Sequence, residues 1–293
     1  MSVALEIGDI KIRRIVEQEA PFFPVHDFFP NFTPEMLAAN SDWLQPRFVD
    51  KDGKLVLCIQ SYVVETRHHK ILVDTCVGNH KPRPHRPFWD MMASDRYEKS
   101  LAEAGLGVGD IDFVMCTHLH VDHVGWNTRL ENGRWVPTFP NARYIFADRE
   151  LEFWTERHRQ NPDAAAWMTD SVLPVVAAGK VDIVKSDYAF NDHVQLVPAP
   201  GHTIDQYCVL AGKGGADALI TGDMVHSPIQ VRYPEIGMMS DWDSKIAGET
   251  RNRLFSRFCD TSTLVCTGHF PSPSSGRISR GKDGHFTFVE ASS

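Results

Sequence analysis

Short apolar runs closed by Gly, Pro or polar turns recur along the chain and predict strands. Leu55 to Val64 and Lys70 to Asp74 read as two strands joined by the polar turn Glu65 to His69, a hairpin. Ser94 to Ala104 opens on Ser and is stopped by Gly105, so it reads as a helix feeding the strand Ile111 to Cys116. Arg143 to Ala147 is the next strand, and Asp148 is placed to cap a charged, aromatic helix through His158. Residues 162 to 180 look helical without clear bounds. Val181 to Val184, Val194 to Ala199, Gln206 to Ala211 and Ala218 to Thr221 follow as strands. A helix from Ser244 to Cys259, capped by Asp243, precedes the strand Thr263 to Cys266. Strands in blocks with helices between them, and no fixed repeat, predict an α/β (α+β) fold of stacked sheets covered by helices rather than one doubly wound sheet.

The first 50 residues break this rhythm. Phe22, Phe23, Phe28, Phe29, Phe32 and Trp43 stand among Pro21, Pro24, Pro30, Pro34 and Pro46, and prolines at that density are expected to prevent a long regular element. So many rings left in water would aggregate, so residues 1–50 are expected to lie as an arm across the main body. With no linker or low-complexity break, residues 1–293 read as a single domain.

Composition narrows the partners. At 293 residues, 42% hydrophobic and 23% charged, the chain can bury a full core, and its formal net charge of −8 gives no general attraction to nucleic acid or to an anionic membrane. The expected partner is a small-molecule substrate, with a homodimer as the one assembly allowed for. The stretch Met1 to Ile10 lacks a basic start and an apolar run, and no later run is long enough to span a bilayer, which points to the cytoplasm. Cys58, Cys76, Cys116, Cys208 and Cys266 lie in or beside strand-like runs without a C-x-x-C pair and read as reduced, buried thiols.

The densest chemistry is Thr117-His118-Leu119-His120-Val121-Asp122-His123-Val124-Gly125, directly after a strand. Imidazole suits borderline ions such as zinc, and a carboxylate can hold or orient a second ion. His118 and His120 can converge from one side of an extended loop while Asp122 and His123 turn toward a neighbouring point, which suggests two adjacent metals. Three later segments share one grammar, an apolar strand ending in a small-residue turn with one ligand-type side chain. These are Pro200-Gly201-His202, Thr221-Gly222-Asp223 and Thr267-Gly268-His269. Strand ends along one edge of a layered fold converge in space.

This set resembles the metallo-β-lactamase fold superfamily, over most of the chain from Leu55 to His269. His118-x-His120-x-Asp122-His123 matches its signature loop, Gly201-His202 its next ligand, Gly222-Asp223 its bridging carboxylate and Gly268-His269 its last ligand. Asp74, in Leu72-Val73-Asp74-Thr75, matches an early aspartate that supports the site from outside. The resemblance implies an αββα four-layer sandwich and two divalent ions, zinc foremost, with manganese, cobalt or iron as alternatives. His118, His120 and His202 would hold one ion, Asp122, His123 and His269 the other, with Asp223 between them.

Two such cations would hold a bridging water and generate hydroxide near pH 7. Asp223, and with it Asp122 through its free oxygen, would then be the catalytic carboxylates that carry a proton to the leaving group. Within the superfamily, an aspartate at 223 and no visible export segment separate the chain from secreted β-lactamases. His120 separates it from the flavin-linked di-iron members, which carry a carboxylate there. The stretches His123 to Asn127, Trp135 to Tyr144 and Asp241 to Arg251 look like the lactonase and methyl-parathion-hydrolase branch. The implied activity is hydrolysis of a lactone or small ester. A phosphotriester or activated aryl substrate, and a mononuclear iron dioxygenase, are the competing readings.

In that branch an aromatic arm closes the pocket, making Phe22, Phe23, Phe28, Phe29 and Trp43 candidate substrate-binding residues. His226, three positions after Asp223, is placed to reach the site rim. His68, His69, His26, His80, His85 and His158 read as solvated, Tyr207 as core, and Lys81, Arg83, His85 and Arg86 as a solvated basic loop.

Overall fold

The computed structural model describes residues 4–214 and 217–291. The Met1–Val3 part of the stretch read for an export signal lies outside them. The chain forms two compact units, one built from the residues up to Glu17 with Ile59–Tyr188, the other from Gln18–Cys58 with the residues from Ala189 onward.

The first sheet uses β1 (Leu5–Ile7), β2 (Ile10–Pro24), β3 (Lys54–Glu65), β4 (Lys70–Val73), β5 (Phe113–Met115), then β8 (Arg143–Ala147) and β9 (Val181–Val184), in that spatial order. The expected hairpin is present, with β3 and β4 antiparallel and Tyr62 opposite Val73. β4, β5, β8 and β9 run parallel, and the inner three are apolar and mostly buried, with Ile71, Leu72, Val114, Met115, Tyr144, Ile145 and Phe146 inside, while β9 at the edge leaves Ile183 exposed. Between β5 and β8 sits a small hairpin, β6 (Thr128–Glu131) and β7 (Arg134–Pro137). The helix Arg96–Glu103 precedes β5, as expected, and its buried Tyr97 stacks on Trp126 at 5.0 Å.

The second unit holds a six-stranded sheet, β10 (Val194–Pro198), β11 (Tyr207–Gly212), β12 (Asp217–Ile220), β13 (Leu264–Cys266), β14 (Ser275–Arg280) and β15 (Phe286–Glu290), in chain order. The helix Ser244–Phe258 starts where expected, since Asp243 accepts from the N–H groups of Lys245 and Ile246. It packs Leu254, Phe255 and Phe258 against Val197, Cys208, Leu219 and Val265 of the sheet. In the arm, Val25, Phe28, Phe29, Phe32 and Leu44 form a second cluster with Ile229, Ile236 and Met238.

Four expectations need correction. The prolines do not prevent a long element, because β2 runs for 15 residues. Its first half alternates buried Ile10, Ile12 and exposed Lys11, and Pro21 and Pro24 stand at exposed positions near its end. The hairpin β14–β15 went unread, although its polar Lys282-Asp283-Gly284 tip carries a turn signal, with Gly284 at φ 84°. Asp148 is the first helical residue of Asp148–Gln160 rather than its cap. The basic loop is solvated only in part: His85 is exposed, but Lys81 and Arg83 are buried, Arg83 donates to both oxygens of Asp170 at 2.8 Å, and Lys81 donates to Thr128 at 2.8 Å. Burial pushes Lys81 down to about 7 despite Asp170.

Candidate metal centre

In the first unit, β5 runs straight into the loop Thr117–Gly125. The loop is folded on itself by the His123 N–H to His120 carbonyl bond of 3.0 Å, and it is tied to the Asp74 segment by Thr75 N–H to the His123 carbonyl at 2.8 Å. Gly125 is required by close approach, since a Cβ there would lie 1.8 Å from the Val77 carbonyl oxygen. Asp74 has φ 60°, left-handed for a non-glycine residue, and a strained backbone held this way marks a position with a task. Its carboxylate accepts from the Thr117 N–H at 2.7 Å and the Thr117 hydroxyl at 2.9 Å, and meets His123 Nδ1 at 2.9 Å.

These bonds set the imidazole protons. His123 carries its proton on Nδ1, facing Asp74, so its Nε2 is a lone-pair donor, and this Nε2 sits 3.8 Å from Asp122 Oδ2. Because the Thr117 hydroxyl gives its hydrogen to Asp74, its oxygen accepts from His118 Nδ1 at 3.1 Å, which again leaves Nε2 as the donor atom. The rings of His120 and His123 lie 4.7 and 4.1 Å from that of His118. His118 and His123 are buried, His120 and Asp122 half-buried. Glu150 braces the loop by accepting from Leu119 N–H at 3.2 Å and from the Trp154 indole at 2.7 Å.

In the second unit three strand ends deliver His202, Asp223 and His269. Gly201 has φ 127°, and a Cβ there would stand 2.2 Å from the Ala247 nitrogen, so only glycine lets this turn pack on the helix Ser244–Phe258. The imidazole Nε2 atoms of His202, His226 and His269 surround the Asp223 carboxylate at 3.2, 3.0 and 2.9 Å, all buried. His269 Nδ1 faces the Cys58 carbonyl at 2.9 Å, and a carbonyl only accepts, so neutral His269 turns an Nε2 lone pair toward Asp223. Acceptor then faces acceptor, which a cation resolves. His202 lies between two carboxylates, with Nδ1 3.1 Å from the buried Asp241. Burial would push His202 down, but Asp223 and Asp241 together lift it to about 9. Burial pushes His226 down, against the pull of Asp223. Each donor set therefore fits a divalent cation; His123, His202 and His269 follow the carboxylate– or carbonyl–histidine–metal pattern, and His118 has the Thr117 hydroxyl in that place.

Of the candidate aromatic residues, Phe28 borders this cluster, its ring 5.4 Å from that of His226. Phe22 and Phe23 are half-buried beside it. Phe29 is wholly buried in the arm cluster and presents no surface to a ligand. Trp43 lies elsewhere, lining a cleft of 440 Å³ with Arg47, Phe48 and Phe288. The sequence reading missed Asp241, Glu150 and Glu17. Glu17 is fully buried, accepts from Val77 and Gly78 N–H and from the Trp126 indole, and is raised by burial to about 7. Asp241 opens the stretch Asp241 to Arg251 noted above without a role assigned to it, and Glu17 and Glu150 stand in no motif.

Residues 59–280 match the model of the metallo-beta-lactamase superfamily. The chain belongs to this superfamily. The N-acyl homoserine lactonase AiiA of Bacillus thuringiensis subsp. kurstaki is 28% identical over 229 residues, 74% of this chain and 83% of that protein. The structure of AidC, a dizinc quorum-quenching lactonase in complex with a product, superposes with a TM-score of 0.80 at 22% identity, covering 100% of this chain and 98% of that one. The hydrolase AbOPH does so with a TM-score of 0.82 at 20% identity, over 100% and 98%. The expected α/β metallo-β-lactamase fold is thus the fold found. The His and Asp groups described above could each hold a divalent cation, and imidazole and carboxylate donors suit zinc among others.

Proposed function

We propose that the chain hydrolyses an N-acyl lactone or a related small ester. His118, His120 and His202 hold one ion, Asp122, His123 and His269 the second, and Asp223 lies between them. The observation that carries this reading is the set of fixed tautomers: His118, His123 and His269 each have Nδ1 engaged and Nε2 left as a lone-pair donor. The curated relatives' N-acyl homoserine lactonase activity supports the substrate class.

When bound, the ions supply Lewis acidity and a hydroxide nucleophile at neutral pH. The chain's own residues position and exchange protons. Asp74 and the Cys58 carbonyl hold His123 and His269 in one tautomer, and Asp241 does the same for His202. Asp223, at the centre of three imidazoles, carries the proton from the attacking water to the alkoxide released when the ester bond breaks, and Asp122 shares this duty through its free oxygen. Phe28 packs against His226 and excludes water from that side.

The six free cysteines support a cytoplasmic location. Among the described residues no helix is long and apolar enough to cross a membrane. The net charge of −8 argues against nucleic-acid and membrane partners, and a homodimer is the assembly that light scattering would test. A turnover panel of lactones, thioesters, β-lactams and phosphotriesters on zinc-loaded protein tests the substrate class. Fastest turnover of an N-acyl lactone is expected; a phosphotriester hydrolysed faster than every lactone would replace the reading.

A further inference from the structure

The loop between Ile236 and the helix Ser244–Phe258 is pinned to the His202 turn and to the arm. Trp242 N–H donates to the His202 carbonyl, Asp243 N–H to the Gly201 carbonyl and Met239 N–H to the Phe28 carbonyl, each at 2.9 Å. Between them, Asp241 reaches His202 Nδ1 at 3.1 Å and accepts from Met238 N–H at 2.9 Å. Met238 is buried with Phe28 in the arm cluster. Its neighbours do the opposite: Met239 is 54% and Trp242 47% exposed. The two exposed apolar side chains stand on either side of Asp241, the residue that anchors His202.

From Phe28 a file of rings leads outward and inward. Phe23 lies 5.4 Å from Phe28 and Phe22 lies 6.4 Å from Phe23, while His226 lies 5.4 Å from Phe28 on the other side and contacts Asp223. The backbone of the exposed pair is thus tied to Phe28 and His202, the two residues that flank the Asp223 cluster. We propose that Met239 and Trp242 are specificity-determining residues that form the wall receiving the apolar acyl tail of the substrate. This rests on the lactone reading above. A protein partner fits the patch poorly, because a stable interface needs about 800 Å² per side. The only other exposed large apolar side chain among the second unit's described residues is Val289, on β15.

The test uses the full zinc-loaded chain and N-butanoyl- to N-decanoyl-homoserine lactones. In the wild type kcat/KM is expected to rise with tail length. In the double variant Met239→Ala/Trp242→Ala the decanoyl-to-butanoyl ratio should fall about tenfold, the worth of roughly two buried methylenes, and chiefly through KM. Trp242→Phe should restore most of the ratio, and Val289→Ala should leave it unchanged. Metal content and the thermal midpoint of each variant separate a folding defect from a loss of selectivity. A ratio equal to that of the wild type, whether both rates fall together or neither falls, would overturn the inference while leaving the lactone reading intact. A wild type inactive on every lactone would overturn the reading itself, and the inference with it.

Discussion

The two groups of proposed ligands, one in each compact unit, are built in opposite ways. In the first unit, His118, His120, Asp122 and His123 come from one loop, and a single buried carboxylate, Asp74, fixes the loop's Thr117 and its last imidazole together. In the second unit, His202, Asp223, His226 and His269 come from three separate strand ends, and each imidazole on Asp223 has its own environment: Asp241 behind His202, the Cys58 carbonyl behind His269, Phe28 beside His226. The first group thus depends on one hub, and the second on several independent supports around a central carboxylate. Damage at a hub should propagate, whereas damage at one support should stay local.

The largest effect is expected at the centre of the second group. Asp223→Ala should reduce kcat/KM by on the order of a thousandfold or more and lower metal content, measured by turnover and mass spectrometry of bound metals. His68→Ala, at an exposed turn, should change neither. Next comes the hub: Asp74→Ala should weaken metal affinity about 100-fold, the upper end for such supports, because His123 and Thr117 lose their partner together. Chelator competition measures it, and an affinity loss no larger than that of a single support would erase the distinction between hub and supports. Asp241→Asn should be milder, about tenfold, since the amide oxygen still accepts from His202 Nδ1.

The smallest effect on the centre is expected from Glu17, which touches the first unit's scaffold and none of the proposed ligands. Burial raises its carboxyl from 4.5 to about 7, so the folded state holds the proton more tightly than the unfolded chain. The resulting stabilisation is complete below pH 4.5 and lost as pH rises through 7, amounting to about 3 kcal/mol. Denaturant titrations between pH 4.5 and 8 should show this slope, and Glu17→Gln should flatten it while metal content stays as in the wild type.

The same contrast explains what the sequence revealed. The first group's proposed ligands are legible because six consecutive positions hold four of them, directly after a strand. The second group's are legible only through a repeated local grammar, a strand followed by Gly and one ligand. His226 fell outside that grammar and was placed only at the rim, although it contacts Asp223 at 3.0 Å. The supports were harder. Asp241 opens a stretch that looked branch-like, but its partner His202 lies 39 positions away, and Cys58 supports His269 through its backbone alone, which nothing local marks. Strands and helices around the centre followed from apolar periodicity. β2 did not, because its prolines drew attention away from the alternation of Ile10, Lys11 and Ile12.

Metal stoichiometry tests the central claim most directly, because both groups must be filled for the proposed chemistry. Mass spectrometric analysis of the purified chain should find about two zinc-like ions per chain, falling to about one when His118 or His269 is replaced by alanine. About one iron per chain in the wild type, with no change on replacing His269, would contradict it.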